Sequence, residues 1–151
     1  MAYGRYFEEL AVGEHVKHWP GRTITEFDDT QFSLLCMNQH PLHIDEHYAR
    51  GTQHGQRLVE GPLVISLVIG LTQADLAGRS VAATEYRDIR HLGPVFHGDS
   101  IYAESKVTAV HEHPMDAACG LVTIETSGSN QRGEAVLSMQ MTLVVPKRPR
   151  G

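Results

Sequence analysis

Three imidazoles, His40, His43 and His47, fall within eight residues, out of ten histidines in a chain of 151. Imidazole changes charge near neutral pH and is the commonest metal ligand, so the cluster suggests either metal binding or proton transfer. Metal binding fits poorly. Pro41 prevents the three rings from sharing one helix face, and the spacing matches no zincin or cupin pattern, so no metal is expected. Proton transfer fits better. The segment Asn38-Gln39-His40-Pro41-Leu42-His43-Ile44-Asp45 holds two amides, two imidazoles and a carboxylate. Such groups concentrate on loops held between rigid elements. Asp45, two residues from His43, either orients that ring or caps a following helix, and the sequence leaves both open.

Elements that can hold this loop lie on both sides. Asp28 or Asp29 caps a helix running to about Met37, with Phe32, Leu34, Leu35 and Met37 as its apolar positions. Residues 45–51 make one or two helical turns ending at a glycine, and a polar loop follows to Arg57. Gly61-Pro62 then opens a helix, since proline suits the first turn. Leu63, Val64, Ile65, Leu67, Val68, Ile69 and Leu71 carry it through Leu76 to Gly78. This helix is apolar almost all round and must be covered on most faces. Upstream, residues 6–13 form a lead-in and residues 14–25 a strand broken at Pro20-Gly21. Downstream, residues 81–92, 100–113, 120–127 and 135–145 read as strands, the last three paired as antiparallel hairpins. The fold class is α+β: one domain over residues 1–151, with a curved antiparallel sheet of about five strands on one long helix. One sheet covers only part of such a helix. A second copy completes the cover, so burial alone implies a homodimer or a higher homo-oligomer.

Charged residues make up 21% of the chain and the net charge is −5. Neutralising phosphates requires a basic face, which argues against a general nucleic-acid binder. The longest apolar run, residues 63–71, falls short of the roughly 18–20 residues that span a bilayer. The first residues carry no signal pattern. Cys36 and Cys119 sit in neither a CxxC nor a zinc-like spacing and read as free thiols of a reducing compartment. The expected setting is cytoplasmic, with neither nucleic acid nor membrane as partner. The basic tail, residues 146–151, reads as a frayed, solubilising end.

The polar segment also resembles a known pattern. It is similar to the loop of the MaoC-like dehydratases, close to the (R)-specific enoyl-CoA hydratases, which reads roughly Gly-Asp-x-Asn-Pro-Leu-His-x-Asp. Three further stretches agree: Tyr6-Phe7-Glu8-Glu9-Leu10-Ala11-Val12-Gly13, Glu60-Gly61-Pro62-Leu63 with Ser66-Leu67, and Gly93-Pro94-Val95-Phe96-His97-Gly98-Asp99. The resemblance implies a hot-dog fold, a long helix enclosed by a curved sheet, with two sheets joined edge to edge in a dimer. It implies an acyl-CoA thioester as substrate and no separate cofactor. In the family an aspartate and a histidine five residues apart activate a water, and a backbone N–H near the helix start meets the thioester oxygen. The histidine is His43 here. The aspartate position holds Asn38 and the asparagine position holds His40.

Hydration of a trans-2-enoyl thioester adds oxygen at C3 and a proton at C2, and negative charge grows on the thioester oxygen. A helix N-terminus suits that charge. Pro62 has no N–H, so Gly61 is the expected donor, with Leu63 behind it. His43 exchanges protons with the water and C2. Asn38 orients water but is no base, so His43 acts alone or is helped by Asp45, Glu60 or His40. The resemblance extends to hydratases of branched or dicarboxylic acyl-CoAs of the mesaconyl or itaconyl type. A distal carboxylate there would want a cation, with His40, Arg50 and Arg57 as candidates. Arg87, Arg90 and Lys147 are candidates for the CoA phosphates. His91 and His97 flank the turn at residues 93–99 and are candidates to line the acyl-CoA entrance. A thioesterase on the same fold, or a non-catalytic acyl-thioester binding protein, are the rival readings.

Overall fold

The computed structural model describes residues 3–149. A short 3-10 turn, Phe7–Glu9, leads into β1 (His15–Lys17) and β2 (Arg22–Thr23). Three helices follow: α1 (Glu26–Leu35), α2 (Pro41–Ile44) and α3 (Glu46–Arg50). The central helix α4 (Gly61–Leu71) comes next, then β3 (Ala82–His91), β4 (Ser100–Glu112), β5 (Cys119–Ser129) and β6 (Ala135–Pro146). The antiparallel sheet runs β1-β4-β5-β6-β3, and β2 also pairs with β4. The expected single strand at residues 14–25 is therefore two short ones, and the sheet has six strands. No helix among the described residues is long and apolar enough to cross a membrane.

Alternation along the long strands selects the core. Ile101 and Val107 on β4, Val122 and Ile124 on β5, and Leu137 and Met141 on β6 are all buried, together with Val64 and Val68 of α4. A Cβ on Gly128 would lie 2.8 Å from Val68, so glycine on β5 lets the helix sit close to the sheet.

Several boundaries differ from expectation. The cap of α1 is Thr25, whose side chain accepts from the Asp28 N–H while the Asp28 carboxylate accepts from the Thr25 N–H. Neither Asp28 nor Asp29 is the cap. Helix α4 ends at Leu71 and not at Leu76, because Thr72 Oγ1 and Gln73 Nε2 both donate to the Ile69 carbonyl at the last turn. The tail is fastened at its start. Lys147 N–H donates to the Ala118 carbonyl at 2.8 Å, and Arg148 pairs with Glu9 and lies over the Tyr6 ring. Acidic and aromatic groups of the lead-in turn thus hold residues expected to fray. Arg150 and Gly151 lie outside the described residues.

The core also holds a polar chain. His18, whose side chain is fully enclosed, meets Ser105 Oγ through Nε2 at 2.8 Å, and Ser105 meets Thr126 Oγ1 at 2.8 Å. Its Nδ1 lies 3.4 Å from Asp75. Burial holds the His18 pKa below the ordinary 6.5, against the opposing pull of Asp75. The unfolded chain therefore binds more protons just below 6.5 than the folded one. His18 contributes stability that is fully present above that value and is lost as pH falls below it. The urea midpoint is expected to drop between about pH 8 and about pH 5.5, and His18→Gln, which cannot titrate, should flatten that part of the curve.

Candidate active site

His43, Asn38, Ser33 and Asp29 are each fastened to one short segment, residues 58–61. His43 comes first. Its Nδ1 lies 2.7 Å from the Leu58 carbonyl oxygen. A carbonyl only accepts, so Nδ1 carries the proton and Nε2 keeps its lone pair. His40 is the reverse. Its Nδ1 accepts from the Leu42 N–H at 3.1 Å, capping α2 at Pro41, so a neutral His40 ring carries its proton on Nε2. The two rings, 5.8 Å apart between centroids, present one free acceptor and one free donor.

Glu60 comes next. Its backbone N–H donates to Asp29 Oδ1 at 2.9 Å, and its carboxylate accepts from Asn38 Nδ2 at 2.7 Å and from Ser33 Oγ at 3.3 Å. Glu60 is only 3% exposed and Asp29 is fully buried. Buried carboxylates persist where hydrogen bonds replace water. The second oxygen of Asp29 meets His97 Nε2 at 2.8 Å, which ties α1 to the turn before β4. Asn38 is locked at both ends, since its Oδ1 accepts from the His40 N–H at 3.1 Å. One N–H of its amide and one lone pair of its carbonyl remain for a water.

Gly61 completes the segment. At the start of α4, the N–H groups of Leu63 and Val64 both donate to the Glu60 carbonyl, and Pro62 has none. The Gly61 N–H is the one left without a protein acceptor among the described residues. The sequence expectation is corrected in one respect: Leu63 offers no second donor. Its side chain instead faces a groove shared with Leu67, Phe32 and Leu35.

Other expected residues fall elsewhere. Asp45 does not orient His43. It caps α3 by accepting from the Tyr48 N–H at 3.0 Å, and Leu58 takes the orienting role. Arg50 and Arg57 are both engaged by Glu46, and Arg57 also by Glu26. Arg87 pairs with Glu85 and Lys147 with Glu112. His47 is exposed on α3. Sequence reasoning missed Asp29 and Ser33 as site residues. Their signal was the i, i+4 spacing of two polar groups, which lie buried while Leu34, Leu35 and Met37 are 69%, 75% and 81% exposed.

Comparison with known proteins places the chain in a family. A family model described as "MaoC like domain" matches residues 8–129. The mesaconyl-CoA hydratase of Cereibacter sphaeroides is 35% identical over 145 residues, covering 96% of this chain and 42% of that protein. The (R)-specific enoyl-CoA hydratase of Rhodospirillum rubrum is 27% identical over 143 residues, covering 95% of this chain and 93% of that one. A Mycobacterium tuberculosis protein described as having a double hotdog fold superposes with a TM-score of 0.85 at 23% identity, over 98% of this chain and 46% of that one. That likeness shows the hot-dog fold. The chain spans about two fifths of the length of the mesaconyl-CoA hydratases it matches, 42%, 41% and 41%.

The two aspartates predict different outcomes in chemical denaturation. Asp29→Ala strands both the Glu60 N–H and His97 and should cost roughly 3–5 kcal/mol, whereas Asp45→Ala removes only a helix cap and should cost about 1 kcal/mol.

Proposed function

We propose that this chain, which belongs to the MaoC-like domain family, adds water reversibly across the 2,3 double bond of an enoyl-CoA thioester. The observation that carries the reading is the pairing of a free Gly61 N–H with a His43 whose Nε2 lone pair is fixed by Leu58, three residues before it. The water's oxygen attacks C3 while one of its protons passes to His43 Nε2. Electron density moves onto the thioester oxygen, where the Gly61 N–H and the α4 dipole meet it. The imidazolium then returns a proton to C2, and the double bond has gained the elements of water.

Asn38 holds the water in this scheme and transfers no proton. Glu60 keeps its amide aimed. Two consequences distinguish this from a chain that merely lost an aspartate. Asn38→Asp sets a second carboxylate against Glu60 and should lower hydration roughly tenfold or more at neutral pH. Combining it with Glu60→Gln restores a donor–acceptor pair with its ends exchanged and should recover most of the loss.

For the acyl group we favour a branched or dicarboxylic chain of the mesaconyl type. The relative at 35% identity bears that name, and His40 offers a free Nε2–H while Arg50 and Arg57 are engaged by carboxylates. A homodimer belongs to the same reading. On α4 only Val64 and Val68 are buried, and β3, a sheet edge, exposes Tyr86 and Ile89. A second copy would cover both surfaces. A cytoplasmic setting accords with the unpaired thiols of Cys36 and Cys119.

The test is loss of enoyl absorbance without release of CoA thiol. Mesaconyl-CoA should turn over faster than crotonyl-CoA, and His43→Ala should reduce the rate about 10²–10⁴-fold. Thiol release in step with substrate loss would indicate a thioesterase, and equal or better rates on crotonyl-CoA would remove the acyl assignment.

A further inference from the structure

We infer that His91 is a catalytic residue: it donates a hydrogen bond from Nε2 to the thioester oxygen held by the Gly61 N–H. The inference rests on the hydratase reading and adds a second donor to it. The sheet register aims the ring. His91 pairs with Leu137, which is fully buried in the core cluster that also holds Val64 and Val68 of α4, so His91 is on the core side of the sheet at the end of the edge strand β3. There it reaches the first residue of α4. A Cβ on Gly61 would lie 2.8 Å from His91 Nε2 and 3.0 Å from Cε1, and its three nearest atoms would all belong to this ring.

That position is close to the oxygen. In a helix each Cα–Cβ bond tilts toward the N-terminus, the end to which the free N–H of Gly61 also points. A ring packed over the place of the missing Cβ therefore flanks an acceptor bound at that N–H. Glycine at 61 serves two purposes: its N–H is free, and its bare Cα gives the imidazole room.

The ring is also unengaged. His18, His40, His43 and His97 each have a ring nitrogen committed to a protein group. His91 has no hydrogen-bond or ion-pair partner among the described residues, so neither nitrogen is used by the fold. Donation at Nε2 involves no net proton transfer by His91. It stabilises the charge that develops on the oxygen and is relaxed when C2 takes its proton.

The experiment compares His91→Phe, His91→Gln and His43→Ala with the unaltered chain in enoyl-CoA hydration. His91→Phe keeps the ring shape and loses the donor, so kcat should fall about 10²-fold with KM within about threefold. His91→Gln returns an N–H near the Nε2 position and should recover about tenfold of that loss. Gly61→Ala, whose methyl displaces the ring, should resemble His91→Phe. If His43→Ala lowers hydration by about 10²-fold or more but kcat of His91→Phe stays within about twofold of the unaltered chain, the role of His91 is overturned while the hydratase reading stands. If the unaltered chain hydrates no enoyl-CoA, both are overturned.

Discussion

Four backbone positions, residues 58–61, constrain everything else at this site. The Leu58 carbonyl sets the tautomer of His43, and the Leu58 N–H is held by the Leu42 carbonyl at 3.2 Å. Val59 is anchored to the Val95 carbonyl at 2.9 Å, in the turn before β4. Glu60 is gripped by Asp29 through its N–H and holds Asn38 through its side chain. Gly61 keeps its N–H free because, at the first position of α4, no helical carbonyl precedes it. The segment is short and every link is a hydrogen bond of ordinary length, so the His43 ring, the Asn38 amide and the Gly61 N–H have little freedom relative to one another. Such preorganisation is what a site facing transient charge needs.

Helix α1 shows what this arrangement demands of the fold. A surface helix normally buries its apolar stripe. Here the residues buried on α1 are Asp29 and Ser33, while Phe27, Leu34 and Leu35 are exposed. The helix is turned so that its polar groups satisfy Glu60, and its apolar side is left exposed. Helix α4 shows a related excess, with an apolar sequence and only two residues buried within the chain. The two helices that carry Asp29, Ser33 and Gly61 thus also carry apolar residues that the chain does not bury.

The sequence revealed much of this for local reasons. The loop carrying Asn38 and His43, the Gly61-Pro62 opening of α4 and the alternation of β4–β6 all depend on spacings of a few residues. What it hid was long-range. The Asp29–Glu60 contact spans 31 residues, Ser33–Glu60 spans 27 and His97–Asp29 spans 68. Asp29 looked like one of two interchangeable caps, and only the fold separates it from Asp28. Asp45 is the opposite case. Its place two residues from His43 allowed either an orienting role or a helix cap; it is the cap, and a backbone carbonyl 15 residues on from His43 takes the ring. His18 gave no signal, because its burial depends on pairing between β1 and β4.

The central claim is that the water bound by Asn38 and His43 attacks carbon C3 and leaves the thioester intact. Incubation of the purified chain with mesaconyl-CoA in ¹⁸O-labelled water, read by mass spectrometry, tests it directly. The account predicts one labelled oxygen in a hydroxyacyl group still joined to CoA. Label in a free carboxylic acid with CoA released, or no uptake of label, would contradict it.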